Sequence, residues 1–332
     1  MFRSSVCPAW WPATRRPCTA VAALLAGALW VSPGTAQELG GLVALGGSTP
    51  VAGAVVELHQ VSGETGALVD STTTDASGGF TFFLQSDVDP GAVFLAGARY
   101  GGVLYWGPPV HSTNSANLED YVVTVFDTMA VSAPAVDLRT SIRHVVITPT
   151  GEGLHVEEII DVEGIPDRTL VSEADSVLVW RAMLARGALG IVPSPGGVPP
   201  EDVVLEDSSV GFRGALPPSG IRVVLQYFLA SSEYALELDH PTARLELLVM
   251  PQPGLDLRVS GLEETSVAPG LRIPVRRFAG TDLTAGSSVA VDATIDQPGR
   301  GRAGIWLLIA VLLGAAALAS IRFNSRGASS VS

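Results

Sequence analysis

Three features predict an all-β chain of two tandem β-sandwich domains plus one C-terminal transmembrane helix. Short β-branched and aromatic runs fill residues 37–296, and Gly, Pro, Ser and Asp break them about every 8–12 residues, the spacing of strands in a sandwich. No stretch in that region keeps a 3.6-residue apolar period long enough to specify a helix. Gly304–Ile321 (GIWLLIAVLLGAAALASI), by contrast, is uncharged and apolar. A helix through it rises about 27 Å, close to the roughly 30 Å hydrocarbon thickness of a bilayer.

Residues 1–36 read as a signal peptide. Arg3, Arg15 and Arg16 form a basic leader, Thr19–Val31 an apolar core, and Ser32-Pro33-Gly34-Thr35-Ala36 a small-residue site cut after Ala36. Pro17-Cys18 follows Arg15-Arg16 where a twin-arginine signal prefers bulky apolar residues, which leaves an ordinary charged leader. Arg300 and Arg302 before the apolar run balance Arg322 and Arg326 after it, so the leader decides orientation. Residues 37–303 are therefore expected outside the cytoplasmic membrane, in periplasm or at the cell surface. Residues 304–321 span it once, and 322–332 form a cytoplasmic tail.

The first domain is expected over residues 37–128. Ala54, Val56 and Leu58 share one strand face while Glu57 and His59 share the other. Asp75-Ala76-Ser77-Gly78-Gly79 reads as a turn, after which Phe80, Phe82 and Leu84 point together into a core. Asp89-Pro90-Gly91 is a second turn. The segments Pro50–Leu58, Thr74-Asp75 and Gly79–Phe82 resemble the carboxypeptidase regulatory-like domain. That resemblance implies a transthyretin-like, seven-stranded β-sandwich of the carbohydrate-binding-like fold. It also implies a module that accompanies peptidases and other secreted proteins without holding the zinc site itself. Residues 129–138, small and proline-bearing, are expected to be a linker.

The second domain is expected over residues 139–296, with 297–303 as the linker to the membrane. In Ile221–Ala230 the residues Ile221, Val223, Leu225, Tyr227 and Leu229 alternate against Arg222 and Gln226. Ser194–Pro200 and Leu216–Gly220 are proline-rich turns. Around His155, strict alternation puts Glu158 among Leu154, Val156, Ile160 and Val162. An unpaired buried carboxylate is costly, so this predicts a bulge at Glu157–Glu158 or an arginine partner for Glu158.

Composition narrows the function. Residues 37–303 hold all 33 acidic residues and 15 arginines, an acidic balance that disfavours nucleic acid and anionic headgroups as partners. Cys7 and Cys18 both lie in the leader, which removes disulfides, a thiol nucleophile and a haem-attachment motif from the mature chain. There is no lysine, hence no Schiff base, phosphate-loop lysine or lysine-dependent crosslink.

Catalytic motifs are weak. His155-Val156-Glu157-Glu158 has the H-x-x-E form of a zinc site, but on a strand His155 and Glu158 face opposite ways, and a third ligand would have to be a distant residue such as His240. Asp87-Val88-Asp89-Pro90-Gly91 starts like a calcium loop, yet Ala98 stands where its bidentate glutamate belongs. No metal, cofactor or catalytic residue is predicted. The candidate ligand-binding residues are Tyr100, Tyr105 and Trp106, set around Gly101-Gly102, where a hairpin turn would present aromatics for stacking on a sugar; capping of the sandwich core is the competing role. The sequence thus predicts a non-catalytic, membrane-anchored protein that binds an envelope protein partner as an interaction or scaffold module. Glycan binding and help in assembling an envelope complex are the alternatives.

Overall fold

The computed structural model describes residues 37–62, 65–84, 91–111, 121–135, 137–266 and 275–295. The predicted leader, membrane-spanning helix and tail, and the Asp87–Pro90 segment, lie outside them. Among the described residues no helix is long and apolar enough to cross a membrane. The protein is all-β, and a 3₁₀ turn at Pro200–Asp202 is the one helical element described.

The first part of the chain contributes β1 (Gln37–Leu45), β2 (Thr49–Pro50), β3 (Val55–Ser62), β4 (Thr65–Thr73), β5 (Gly79–Leu84), β6 (Val93–Tyr100), β7 (Val103–Trp106), β8 (Val110–His111) and β9 (Val122–Val125). One sheet has the order β2-β1-β5, with β9 added parallel to β1. The other runs β4-β3-β6-β7, with β8 on β6. Alternation accounts for the core between them. Leu39, Val43, Phe80, Phe82, Val123 and Val125 come from the first sheet, and Val56, Leu58, Phe94, Ala96 and Ala98 from the second.

The turns form where their side chains satisfy the backbone. Asp75 Oδ1 accepts hydrogen bonds from the Ser77 and Gly79 amides at 2.8 and 2.9 Å, and Gly78 takes a φ of +79°. The Ser77 hydroxyl also donates to Asp75, and these bonds hold its carboxyl below the usual range. Gly101 and Gly102, at φ of +57° and +81°, make the two-residue hairpin between β6 and β7.

The rest of the chain forms β10 (Asp127–Val131), β11 (Thr140–Thr150), β12 (Gly153–Val162), β13 (Arg168–Ser172), β14 (Trp180–Met183), β15 (Leu189–Pro193), β16 (Val203–Glu206), β17 (Ser209–Phe212), β18 (Ile221–Leu229), β19 (Glu233–Glu237), β20 (Thr242–Val249), β21 (Leu255–Ser260), β22 (Glu263–Thr265), β23 (Arg276–Leu283) and β24 (Ser288–Ile295). Seven of them build one mixed sheet in the order β15-β18-β12-β11-β20-β23-β22. Its inner face supplies Val145, Ile147, Leu154, Val156, Ile160, Val223, Leu225, Leu245 and Leu247 to a second core. Opposite them lie Trp180, Val210 and Phe212 from the sheet β14-β17-β16, and Tyr234, Leu236, Val289 and Val291 from β19-β24-β21.

The segment expected to be a linker is partly a strand. β10 pairs in parallel with β13, from Asp127 opposite Arg168 to Val131 opposite Ser172, and so carries the chain from the first core to the second inside a ladder. A side-chain bridge reinforces it. The Tyr105 hydroxyl donates to the Phe126 carbonyl at 2.9 Å and lies 2.8 Å from Thr169 Oγ1. The small and β-branched side chains of Thr128, Ala130 and Val131 suit a strand as well as a linker, and the free edge of β13 decides between them.

Candidate functional site

Strand β12 carries two adjacent glutamates that meet opposite environments. Glu158 points into the second core and is fully buried. Its ladder is regular there, with Val145 opposite Glu158 and Val146 opposite Glu157, so the expected bulge is absent and the expected arginine is present. Arg143, two positions along β11, donates from Nε at 3.0 Å and from Nη2 at 2.6 Å, both to Glu158 Oε2. The same Nη2 lies 2.8 Å from the Met183 carbonyl on β14. Tyr227 on β18 and Tyr234 on β19 both donate their hydroxyls to Glu158 Oε1, Tyr234 at 3.1 Å. The carboxylate and its arginine together therefore join elements of three sheets.

The electrostatics follow from burial. Desolvation opposes the charge on Arg143, but the Glu158 carboxylate outweighs it and holds the guanidinium above its ordinary range. Desolvation, then the Glu158 charge, pushes both phenols well above theirs, so they stay protonated donors. Every hydrogen-bonding partner of the carboxylate is a donor, the condition under which a buried charge is tolerated.

Glu157 faces the other way, onto the outer face of the seven-stranded sheet. The register lays out that face as rows. Val146, Glu157, Gln226 and Val192 stand side by side across β11, β12, β18 and β15, and Thr148, His155, Phe228 and Leu189 form the next row. Together they line a cleft of about 270 Å³. Leu189 and Val192, on the edge strand, are each 54% exposed. The His155 ring tilts against Phe228 with centroids 5.2 Å apart. Glu157 is half-buried among these side chains, and desolvation raises its carboxyl above the usual range. Among the described residues no hydrogen bond or ion pair reaches it. On the same face, the Arg222 guanidinium is held by both oxygens of Asp161 at 2.5 and 2.6 Å.

Further across the same face the charges are paired. Glu246 takes ion pairs from Arg244 and, at 2.7 Å, from Arg277. His144 Nδ1 lies 3.6 Å from Glu246, and burial lowers the affinity of its ring for a proton despite that carboxylate. The outer face thus divides into a self-neutralised half and a largely apolar half with one unanswered carboxylate.

The residues expected to bind a ligand are not presented together. Successive positions of β7 face opposite sides, so Tyr105 is buried in the first core while Trp106 is 48% exposed. The Trp106 ring meets the edge of His59 at a centroid distance of 4.9 Å. Tyr100 donates to Asp127 Oδ1 at 3.1 Å. Tyr105 therefore serves the core and the bridge to Thr169, and offers no stacking surface beside Trp106.

His155 and Glu158 lie on opposite faces of β12, as alternation requires, and share no ligand position. His240 is buried, with Nε2 donating to the Arg181 carbonyl at 2.6 Å and its ring stacked on Trp180. Among the described residues no group of three metal-ligating side chains converges. Sequence reasoning singled out Glu158 and overlooked Glu157, although the same alternation places Glu157 with His155. That β18 and β15 would extend the face with Gln226, Phe228, Leu189 and Val192 depends on long-range pairing.

No protein-family profile matches the chain, and no curated protein matches it. Solved structures with a partial likeness include aminopeptidase A of Legionella pneumophila in complex with aspartic acid. It is 9% identical with a TM-score of 0.30, over 48% of this chain and 22% of that one. An M1 zinc metallopeptidase from Deinococcus radiodurans is 13% identical with a TM-score of 0.28, over 48% of this chain and 43% of that one. The chain thus spans less than half the length of either protein, and a likeness at this level carries no inference about fold or activity.

Proposed function

We propose that this is a non-catalytic, membrane-anchored extracytoplasmic protein of two tandem β-sandwich modules, the first of carboxypeptidase regulatory-like type. It works as an interaction module in the cell envelope and binds a protein partner through the outer face of the seven-stranded sheet. The observation that carries this reading is the cleft beside β15. Two aliphatic side chains there are more than half exposed, next to Phe228 and a carboxylate that nothing in the described fold answers. Exposed apolar surface of this kind, rimmed by polar groups, marks interaction sites.

Photo-crosslinking from Val192 in intact cells tests the reading. A probe at Val192 is expected to give a discrete crosslinked protein, and a probe at the well-exposed Arg258 none. Equal or absent crosslinking from both positions would reject this face as the interface. Glycan binding is supported by the exposed ring of Trp106 alone, since Tyr105 is buried, and stands second.

A further inference from the structure

We infer that the outer-face cleft is a receptor for a single cationic side chain, an arginine on an apolar segment of the protein partner, with Glu157 as its counter-charge. This rests on the proposed interaction role and specifies the partner's chemistry.

Three observations converge. First, the Glu157 carboxylate stands at the centre of a row of otherwise uncharged side chains, between Val146 and Gln226, and no described cation reaches it. The Arg222 and Arg277 guanidinium groups on this face are committed to Asp161 and Glu246. Secondly, the surroundings suit the stem of a long cation. Leu189 and Val192 offer exposed aliphatic surface at the mouth of the cleft, and Phe228 an aromatic ring within it. Arginine combines an apolar stem with a planar fork of donors that matches a carboxylate and also favours aromatic faces. Thirdly, the cleft measures about 270 Å³, below the range of about 300–1,000 Å³ for pockets that enclose a drug-sized molecule. It has room for one extended side chain. An anion is excluded by the carboxylate, and a purely apolar occupant would bury that carboxylate without a partner, at a large cost. The excess of acidic residues over arginine in residues 37–303 adds a field that attracts a basic partner.

The test uses the full-length chain in mild detergent and two synthetic peptides, acetyl-Val-Arg-Val-amide and its citrulline counterpart, titrated by calorimetry. Citrulline keeps the shape of arginine and removes the charge. The arginine peptide is expected to bind about tenfold more tightly or better than the citrulline peptide, and Glu157→Gln to abolish the difference. Equal affinity of the two peptides for the wild-type chain, absence of binding, or discrimination that survives Glu157→Gln would each overturn the inference. Glu157 holds no fold-stabilising bond, so the variant is expected to keep the wild-type circular dichroism. Asp256→Asn, which removes an exposed carboxylate outside the cleft, is expected to preserve the preference for arginine, and a loss there would also overturn the inference. The crosslink from Val192 separates this claim from the broader one. If the crosslink forms in the wild-type chain while that chain shows no preference for the arginine peptide, the interface stands and the cation receptor falls.

Discussion

Arg143 places two donors on the same oxygen of Glu158, Oε2, while the hydroxyls of Tyr227 and Tyr234 take the other oxygen. Four donor groups from three strands therefore converge on one carboxylate inside an apolar core. The preceding residue, Glu157, has no hydrogen-bond or ion-pair partner among the described residues and lies on the opposite face.

Removing one member of that pair strands the other. Glu158→Gln is expected to destabilise the chain by about 3–5 kcal/mol, because Arg143 would remain charged and buried. The double variant Arg143→Met, Glu158→Leu is expected to recover part of that loss, since it deletes both charges but leaves the Tyr227 and Tyr234 hydroxyls without their acceptor. Thermal and urea denaturation of the three proteins check this. A double variant no more stable than Glu158→Gln would show that the ion pair is not the source of the effect.

The two phenols share Oε1, so their losses should not add. Tyr227→Phe and Tyr234→Phe are each expected to cost about 1–3 kcal/mol, the range for leaving a buried group short of a bond. The double variant should depart from the sum by more than the few tenths of a kcal/mol seen for independent sites. A double-mutant cycle in urea supplies the measurement. Strict additivity would mean that Oε1 does not couple them.

Glu157 gives a pH dependence of definite sign. Burial raises its carboxyl in the folded chain above the unfolded value near 4.5. The native state then binds the proton more tightly than the unfolded state does. The stabilisation this confers is complete below about pH 4.5 and is lost as pH rises through the folded value. Glu157→Gln should therefore be more stable than the wild type at neutral pH. The difference between the two proteins should shrink as the pH falls toward 4, and comparing melting temperatures across that range isolates Glu157 from every other titrating group. A constant difference would mean that the carboxyl is not desolvated.

The bridge between the cores can be measured separately. Tyr105→Phe removes the hydroxyl that meets the Phe126 carbonyl and Thr169, and is expected to cost about 1–2 kcal/mol. A cycle with Thr169→Val should give a coupling of about 0.5–1 kcal/mol if the two hydroxyls bond to each other. A coupling near zero would leave the β10–β13 ladder as the sole link.

Much of the strand pattern was legible because alternation is a local property. Val223, Leu225, Tyr227 and Leu229 are buried on one face of β18, as the sequence predicts, and Phe80 and Phe82 are buried on β5. The demand of Glu158 for an arginine followed from the same rule. Which arginine answers it did not, because Arg143 meets Glu158 only through the register of β11 on β12. Tyr234 reaches Glu158, and the Met183 carbonyl reaches Arg143, from other sheets, which no local period encodes. Tyr105 takes the core-capping role that the sequence left open beside ligand binding, and its partner Thr169, in the second part of the chain, was not legible locally. The cleft escaped notice for a related reason. Leu189–Pro193 is short and irregular, with Gly190 at a φ of +61°, and becomes the wall of a site only once it pairs with β18.

The binding role of the outer face is tested most directly by the accessibility of a single thiol. Residues 37–303 contain no cysteine, so Val192→Cys adds one label site to the cleft and Arg258→Cys one reference site away from it. With a partner seated beside β15, maleimide should modify Val192→Cys at least several-fold more slowly in intact cells than in the purified full-length chain, while Arg258→Cys reacts at the same rate in both. Equal rates for Val192→Cys in cells and in isolation would contradict a partner on this face.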